Sequence, residues 1–278
     1  MESIKVKTTL DAKNIGWKGS QLRCLLLTSM DKPVLQRTLT SIINQKSVSG
    51  LKVEFSNGFE YFPKGLINPK EIELDKANIN VNSPIKYCNV LNKWWLKRNA
   101  RTPVWDLVCT ALINDTPGFI LIEAKSHQNE LLKTKDESGA IKGSPNRCKI
   151  EEALSVINSQ YGYNLSADNY FQLSNRIAWS LKLASLGIPV VLIYLGCLET
   201  KEMSISKNDS LLYNDEQWEG IVTNYSKEVD FEDWGKIISG EKLKDDNIPV
   251  ESSFFCPIIR SVNIQFEAGE LSLNCSVV

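Results

Sequence analysis

An α/β fold, with a mixed central β-sheet flanked by helices, follows from three features of the sequence. Residues 103–113 (PVWDLVCTALI) and 119–125 (FILIEAK) are apolar, β-rich runs separated by the turn-forming residues NDTPG, the pattern of an antiparallel hairpin. The run IPVVLIYLG at 188–196 is apolar on both faces, as a central parallel strand is. Between them Tyr170, Leu173, Ile177, Leu181 and Ala184 recur at helical spacing. Strand, helix, strand in that order implies a right-handed βαβ crossover, so the sheet carries both pairing directions.

Taken along the chain, residues 1–80 read as an accessory region of mixed α/β character, and 81–278 as the core with a C-terminal extension. In 32–46, Val34, Leu35, Leu39, Ile42 and Ile43 keep helical spacing. LKVEF at 51–55 alternates as a strand does, with SNG at 56–58 as its turn. Asn and Pro make 65–84 a loop. Ser83-Pro84 then opens a helix running to Arg98, with Ile85, Cys88, Leu91, Trp95 and Leu96 on its apolar side. The hairpin comes next, and a five-residue NDTPG turn sets Asp106 across from residues 125–126. Gly and Ser punctuate the polar stretch 133–149, read as a loop, before a short helix at about 150–160 carrying Ile150, Leu154 and Ile157. Asp168 caps the following helix, Gly187 ends it and Pro189 prevents its continuation. Beyond residue 199 the pattern gives short helices near 215–225 and 231–239 and a strand around 254–265.

Charge and composition narrow the function. With 32 Lys+Arg against 33 Asp+Glu, the net charge of −1 excludes a binder that works by bulk positive charge, and also an acidic disordered tail. At 278 residues and 42% hydrophobic, the chain can bury a core without disulfides or structural metal. Its seven cysteines form no CxxC pair and its one histidine is His127, so a closely spaced Cys/His zinc site has no support. Any histidine-dependent hydrolase triad would have to use His127 itself. No glycine-rich phosphate loop is present. The N-terminal MESIKVKTTLDAKN lacks a signal peptide's apolar stretch, and IPVVLIYLGCL is too short to span a bilayer, so no membrane association and a cytoplasmic location are expected.

The chemistry gathers on the hairpin. Alternation along FILIEAK puts Glu123 and Lys125 on one face of the strand, and Asp106 comes to them from its neighbour. Two carboxylates with a lysine suit Mg²⁺ (or Mn²⁺), a hard cation that takes one or two carboxylates and keeps places for water and phosphate. A lysine beside it can orient or help deprotonate water, or stabilise charge in the transition state.

This constellation resembles the PD-(D/E)XK nuclease superfamily, with Trp105-Asp106 in place of Pro-Asp and Glu123-Ala124-Lys125 as the second element. The resemblance covers roughly residues 103–197. It implies a restriction-endonuclease-like fold, a cation held by Asp106, Glu123 and the Ala124 carbonyl, and Lys125 as base or transition-state stabiliser. The longer string WDLVCTALINDTPGFILIEAKSHQNEL is similar to a bacterial group of uncharacterised proteins within that superfamily, in which His127 and Glu130 belong to the signature. A further acid common in the superfamily has no counterpart in 76–105, which lacks Asp and Glu; Glu71, Glu73 and Glu130 stand as substitutes that spacing does not separate.

That same acid-free stretch has a local charge of +6 and leaves −7 for the remainder. Lys93, Lys97, Arg98 and Arg101 are its candidate nucleic-acid contacts, with Lys76 and Lys86 preceding them. Of Trp94 and Trp95 one could stack on a base, although core packing of Trp95 is the favoured reading. On the 168–186 helix, Gln172, Asn175 and Arg176 lie off the apolar stripe and are placed to support the site, Arg176 as a phosphate or carboxylate contact. The expected activity is metal-dependent hydrolysis of nucleic acid, DNA ahead of RNA, and a homodimer stays open. The alternatives are a catalytically silent member acting as an interaction module, and an enzyme on another phosphate- or carboxylate-bearing substrate.

Overall fold

The computed structural model describes residues 3–7, 18–74, 94, 102–132, 141–201, 211–243, 251–267 and 270–274. In chain order the elements are β1 (Ser3–Lys7), α1 (Gly19–Thr28), α2 (Lys32–Ile43), β2 (Val53–Glu54), β3 (Tyr61–Phe62), a 3₁₀ turn at Gly65–Ile67, β4 (Ile72–Glu73) and β5 (Val104–Trp105). They continue with β6 (Leu107–Ile113), β7 (Thr116–Lys125), α3 (Gln128–Leu132), α4 (Pro145–Tyr161), α5 (Phe171–Ser185), β8 (Val190–Cys197), α6 (Asp215–Lys227), β9 (Ile238–Ser239), β10 (Phe254–Glu267) and β11 (Glu270–Asn274). The main sheet runs β1-β11-β10-β8-β7-β6-β2, with β3 also on β6 and β9 on β10. β7, β8 and β10 are parallel, and the other pairs are antiparallel. The architecture is therefore α/β with a mixed sheet between helices, as the alternation of runs and helical stripes implied.

Period-two alternation divides the sheet into two faces. Ile120, Ile122, Val191, Ile193, Cys256 and Ile258 pack under α1 and α2 with Leu22, Leu26, Leu35 and Leu39. Phe119, Leu121, Val190, Leu192, Tyr194 and Phe255 pack on the other face with Ile150, Leu154, Ile177, Leu181 and Trp218 of α4, α5 and α6. Segments from the first 80 residues thus cover one face and pair with β6.

The hairpin forms with a shorter turn than NDTPG suggested. Asn114 and Asp115 alone make it, at φ 47° and 61°, the left-handed pair that Asn and Asp tolerate in two-residue hairpins. Asn114 is fixed by a bond from the Lys52 N–H (2.8 Å) and by its own amide donating to the Gly50 carbonyl (2.8 Å). Thr116, Pro117 and Gly118 belong to β7. Pro117 is tolerated because pairing with β8 begins only at Phe119, so no neighbour needs its missing N–H.

Other expectations shift as well. The helix set at 150–160 begins at Pro145, with Ser144 as N-cap, so the loop expected at 133–149 ends early. Asp168 does not cap α5; its carboxylate binds Arg147 and Lys142, and Tyr170 holds the N-cap position at φ 54°. Gly187, at φ +80°, does end α5 before Pro189. Residues 231–239 are not helical: Phe231 and Trp234 pack edge to face (5.2 Å), Phe231 also against Tyr163 (5.0 Å), and Ile238–Ser239 pairs with β10. Trp94 is in the core, edge-on to Trp179 at 5.1 Å, so it cannot serve as a base-stacking platform, while Trp95, expected in the core, lies outside the described residues. The rest of the 84–98 helix lies outside the described residues, with Lys76, Lys86, Lys93, Lys97, Arg98 and Arg101. Cys24, Cys109, Cys197 and Cys256 are buried thiols and Cys148 is exposed, while Cys88 and Cys275 fall outside. Among the described residues no helix is long and apolar enough to cross a membrane.

Gly196 shows how tightly the helical face is packed. It pairs with Lys125, and a Cβ there would lie 2.6 Å from the ring of Trp218, a fully buried side chain whose Nε1–H donates to the Tyr194 carbonyl. Gly196→Ala should therefore cost about 1–3 kcal/mol through displacement of that ring. Urea denaturation checks it; a loss below about 0.5 kcal/mol would show that the tryptophan relaxes freely.

Candidate active site

Two short ladders meet at Asp106. In the hairpin Leu107 pairs with Ile122, so the next residue outward, Asp106, comes beside Glu123. Register therefore corrects the expectation that it faces 125–126, because the turn holds two residues and not five. In the separate β4–β5 ladder Ile72 pairs with Trp105, which brings Glu71 to the other side of Asp106. The chain bends at Asp106 between β5 and β6. There Asp106 Oδ2 accepts a hydrogen bond from the Ala124 N–H at 2.8 Å. In a strand a residue's N–H and C=O leave on the same side, so the Ala124 carbonyl is directed to the Asp106 edge as well.

Glu123 is buried and fully engaged. Its Oε1 accepts from Lys125 Nζ (2.5 Å) and Gln172 Nε2 (2.8 Å), and its Oε2 from Arg176 Nε (2.7 Å). Arg176 also donates from Nη2 to the Val104 carbonyl (2.9 Å) and lies over the Trp105 ring at 4.4 Å. Gln172 and Arg176 stand one turn apart on α5, which is why two polar positions off the apolar stripe reach one carboxylate. Gln172 is also in the helix's first turn, where the dipole favours an anion.

These contacts set the charge states. Burial alone would raise Glu123, but the Arg176 guanidinium and the Lys125 ammonium outweigh it and hold the carboxyl down at about 2. Asp106 goes the other way. Burial pushes it up to about 7, Glu123 and Glu71 add to the rise, and Lys125 and the Ala124 N–H oppose it. Burial would depress Lys125, yet the Glu123 and Asp106 carboxylates leave it raised, so it is an ammonium.

The remaining candidates separate by contact. Asn175 Oδ1 and Gln172 Oε1 are buried without a hydrogen-bond partner among the described residues, as is the hydroxyl of Tyr194 beside Glu123 in register. His127 lies 3.3 Å from Glu130 Oε1 through Nε2 and makes a backbone bridge to Leu211, so it addresses Glu130 and not Glu123. Glu130 also accepts from the Ser126 N–H (3.2 Å) and Ser20 Oγ (3.4 Å). Glu73 is spent on Thr102, accepting from its N–H (3.2 Å) and hydroxyl (3.1 Å). Of the three substitute acids, Glu71 is the one whose charge acts on both Asp106 and Glu123, and Gln21 of α1 donates to it at 3.2 Å. Sequence spacing could not select it, since the choice depends on the β4–β5 register.

Among the described residues no three His, Cys, Asp or Glu side chains gather closely enough to hold a metal ion by themselves. The donors present still suit a hard cation: one carboxylate oxygen of Asp106 makes no hydrogen bond among the described residues, Lys125 and the Ala124 N–H offset only part of the cost of ionising it, and Glu123 and a backbone carbonyl lie beside it.

A consequence for stability follows. Asp106 titrates higher in the folded chain than the unfolded value near 3.9, so the unfolded state ionises first and stability falls as pH rises from about 4 to 7. Asp106→Asn keeps the acceptor for Ala124 and removes the charge. It should gain about 1–2 kcal/mol on the wild type at pH 8 relative to pH 5, a figure reduced for the partial exposure of Asp106. Parallel urea melts at the two pH values read this, and an identical pH dependence in both proteins contradicts it.

Comparison with protein-family models, with curated proteins and with solved structures gave no match for the chain.

Proposed function

We propose that the chain is a metal-dependent nuclease of the PD-(D/E)XK kind, hydrolysing phosphodiester bonds, in DNA ahead of RNA. The observation that carries this reading is the convergence of Asp106, Glu123 and Lys125 where β6 bends away from β7, with the Asp106 carboxylate bonded to the Ala124 N–H. A divalent cation there would be held by Asp106, Glu123 and the Ala124 carbonyl, and would supply an activated water and charge neutralisation at a phosphate. Lys125 contributes as a fixed positive charge and not as a base, because Glu123 and Asp106 keep it protonated. Arg176 and Gln172 hold Glu123 in place from α5. The test is a panel of single- and double-stranded DNA and RNA with Mg²⁺ or Mn²⁺, wild type beside Lys125→Ala. The reading requires cleavage by the wild type that depends on the metal.

One observation favours a second reading, a catalytically silent interaction module: both Glu123 oxygens are already committed to Lys125, Gln172 and Arg176. Calorimetry with Mn²⁺ separates the two, since a silent module shows no binding heat that Asp106→Asn removes.

A further inference from the structure

Outside the site, two lysines are held in an unusual way at the β2–β3 edge. Lys32, in the first turn of α2, places Nζ 5.0 Å from the centroid of the Phe59 ring. Lys64 places Nζ 4.2 Å from Tyr61 and 4.6 Å from Phe62. The Phe59 and Tyr61 rings are themselves 5.6 Å apart, so the ammonium groups sit over adjoining faces. Neither makes an ion pair among the described residues. Burial pulls Lys64 below its ordinary value and Lys32 adds to the drop, with Glu60 opposing through space. A partly desolvated ammonium that feels a second one is an arrangement that an anion relieves, as Glu60 does in part from a distance without pairing.

The backbone beneath Lys64 is fixed. The Gly65 N–H donates to Thr28 Oγ1 (3.1 Å), the Leu66 N–H to Ser29 Oγ (2.9 Å) and the Lys64 N–H to the Asn68 carbonyl (3.1 Å). Gly65, at φ +67°, fits only because it lacks a Cβ, which would stand 2.8 Å from the Ser29 Cα. A surface lysine ordinarily loses rotamer freedom when it binds; here part of that ordering is already done.

The patch also adjoins the site through the sheet. Phe62 pairs with Val108, two residues from Asp106. At about 3.3 Å per residue and 4.8 Å between strands, the backbones at Phe62 and Asp106 lie roughly 8 Å apart, so Lys64 stands at the Asp106 edge of the sheet, while Lys32 reaches that edge from the α2 face, opposite Glu123 and Lys125. We infer that Lys32 and Lys64 form a docking surface for the phosphate backbone of the nucleic-acid strand next to the bond being cut. This rests on the nuclease reading for its choice of polyanion. The contacts are to phosphate, so the surface positions a strand without reading its sequence.

Fluorescence anisotropy of labelled single- and double-stranded DNA in EDTA, over a salt titration, tests the surface apart from cleavage. The double variant Lys32→Gln, Lys64→Gln should bind about tenfold more weakly at low salt, and its log K against log salt slope should be shallower by about 1–2. Lys32→Arg, Lys64→Arg should restore both, and equal melting temperatures exclude misfolding as the cause. An unchanged slope in the glutamine variant, or a wild type that binds no nucleic acid, overturns the inference. So does an acidic peptide or anionic vesicle bound more tightly with the same lysine dependence. If the slope drops as stated but Mg²⁺ gives no hydrolysis, only the nuclease reading fails. If hydrolysis occurs and the slope is unmoved, only the docking surface fails.

Discussion

Lys125→Ala is expected to lower metal-dependent cleavage by about 10²–10³-fold, the loss that follows removal of one preorganised charge from a partly dehydrated site. Lys125 is nearly buried, its ammonium is 2.5 Å from Glu123 Oε1, and two carboxylates keep it charged. In the proposed reaction a phosphate brought to Asp106 and Glu123 by a divalent cation would gain negative charge on its oxygens in the transition state, and Lys125 would be the side-chain cation fixed beside it. Glu123 keeps Arg176 and Gln172 in the variant, so the fold should persist. Lys125→Met retains the aliphatic packing and should be as inactive as alanine, which separates charge from stability. Cleavage is followed at matched metal and pH, with circular dichroism as the check on folding. Activity within threefold of wild type in the methionine variant removes Lys125 from the proposed chemistry.

Arg176→Met should be the most destabilising substitution at the site, by about 3 kcal/mol, because it strands a buried carboxylate that had been paired. The guanidinium serves Glu123, the Val104 carbonyl and the Trp105 ring at once. Lys125 remains as a partner, which keeps the cost at the lower end of the range for broken buried pairs. The double variant Arg176→Met, Glu123→Gln removes both charges and should fall short of the sum of the single losses by at least about 1 kcal/mol. Arg176→Lys should not rescue, since a point charge cannot supply the fork that reaches Glu123 and Val104 together. Chemical denaturation of the cycle measures this. Additive losses would mean that the two residues are energetically independent despite their 2.7 Å contact.

Much of the architecture was legible because it rests on local periodicity. β8 is apolar at every position and buried throughout, and the stripe of Tyr170, Leu173, Ile177, Leu181 and Ala184 packs inward. The hairpin was equally clear, but its turn was not. Pro117 and Gly118 are turn-forming residues by composition, and only the late start of β8 pairing allows them in a strand. Phe231 and Trp234 have a spacing that a helix would also give, yet they are placed by ring contacts with Tyr163 and Tyr194. Helical spacing did not mark Trp94 as a core residue, and it is its edge-on contact with Trp179 that places it there.

What the sequence determined by itself is the chemistry on offer. Alternation placed Glu123 and Lys125 on one face of β7, and helical spacing freed Gln172 and Arg176 from the apolar stripe of α5, because both periods act within a single element. Tertiary structure alone decided which groups meet. Hairpin register set Asp106 beside Glu123, the β4–β5 ladder chose Glu71 over Glu73 and Glu130, and the packing of α5 gave Arg176 to a carboxylate. Those distances join residues up to 53 positions apart, as for Glu123 and Arg176, and they are fixed by strand pairing and helix packing, which no local pattern specifies.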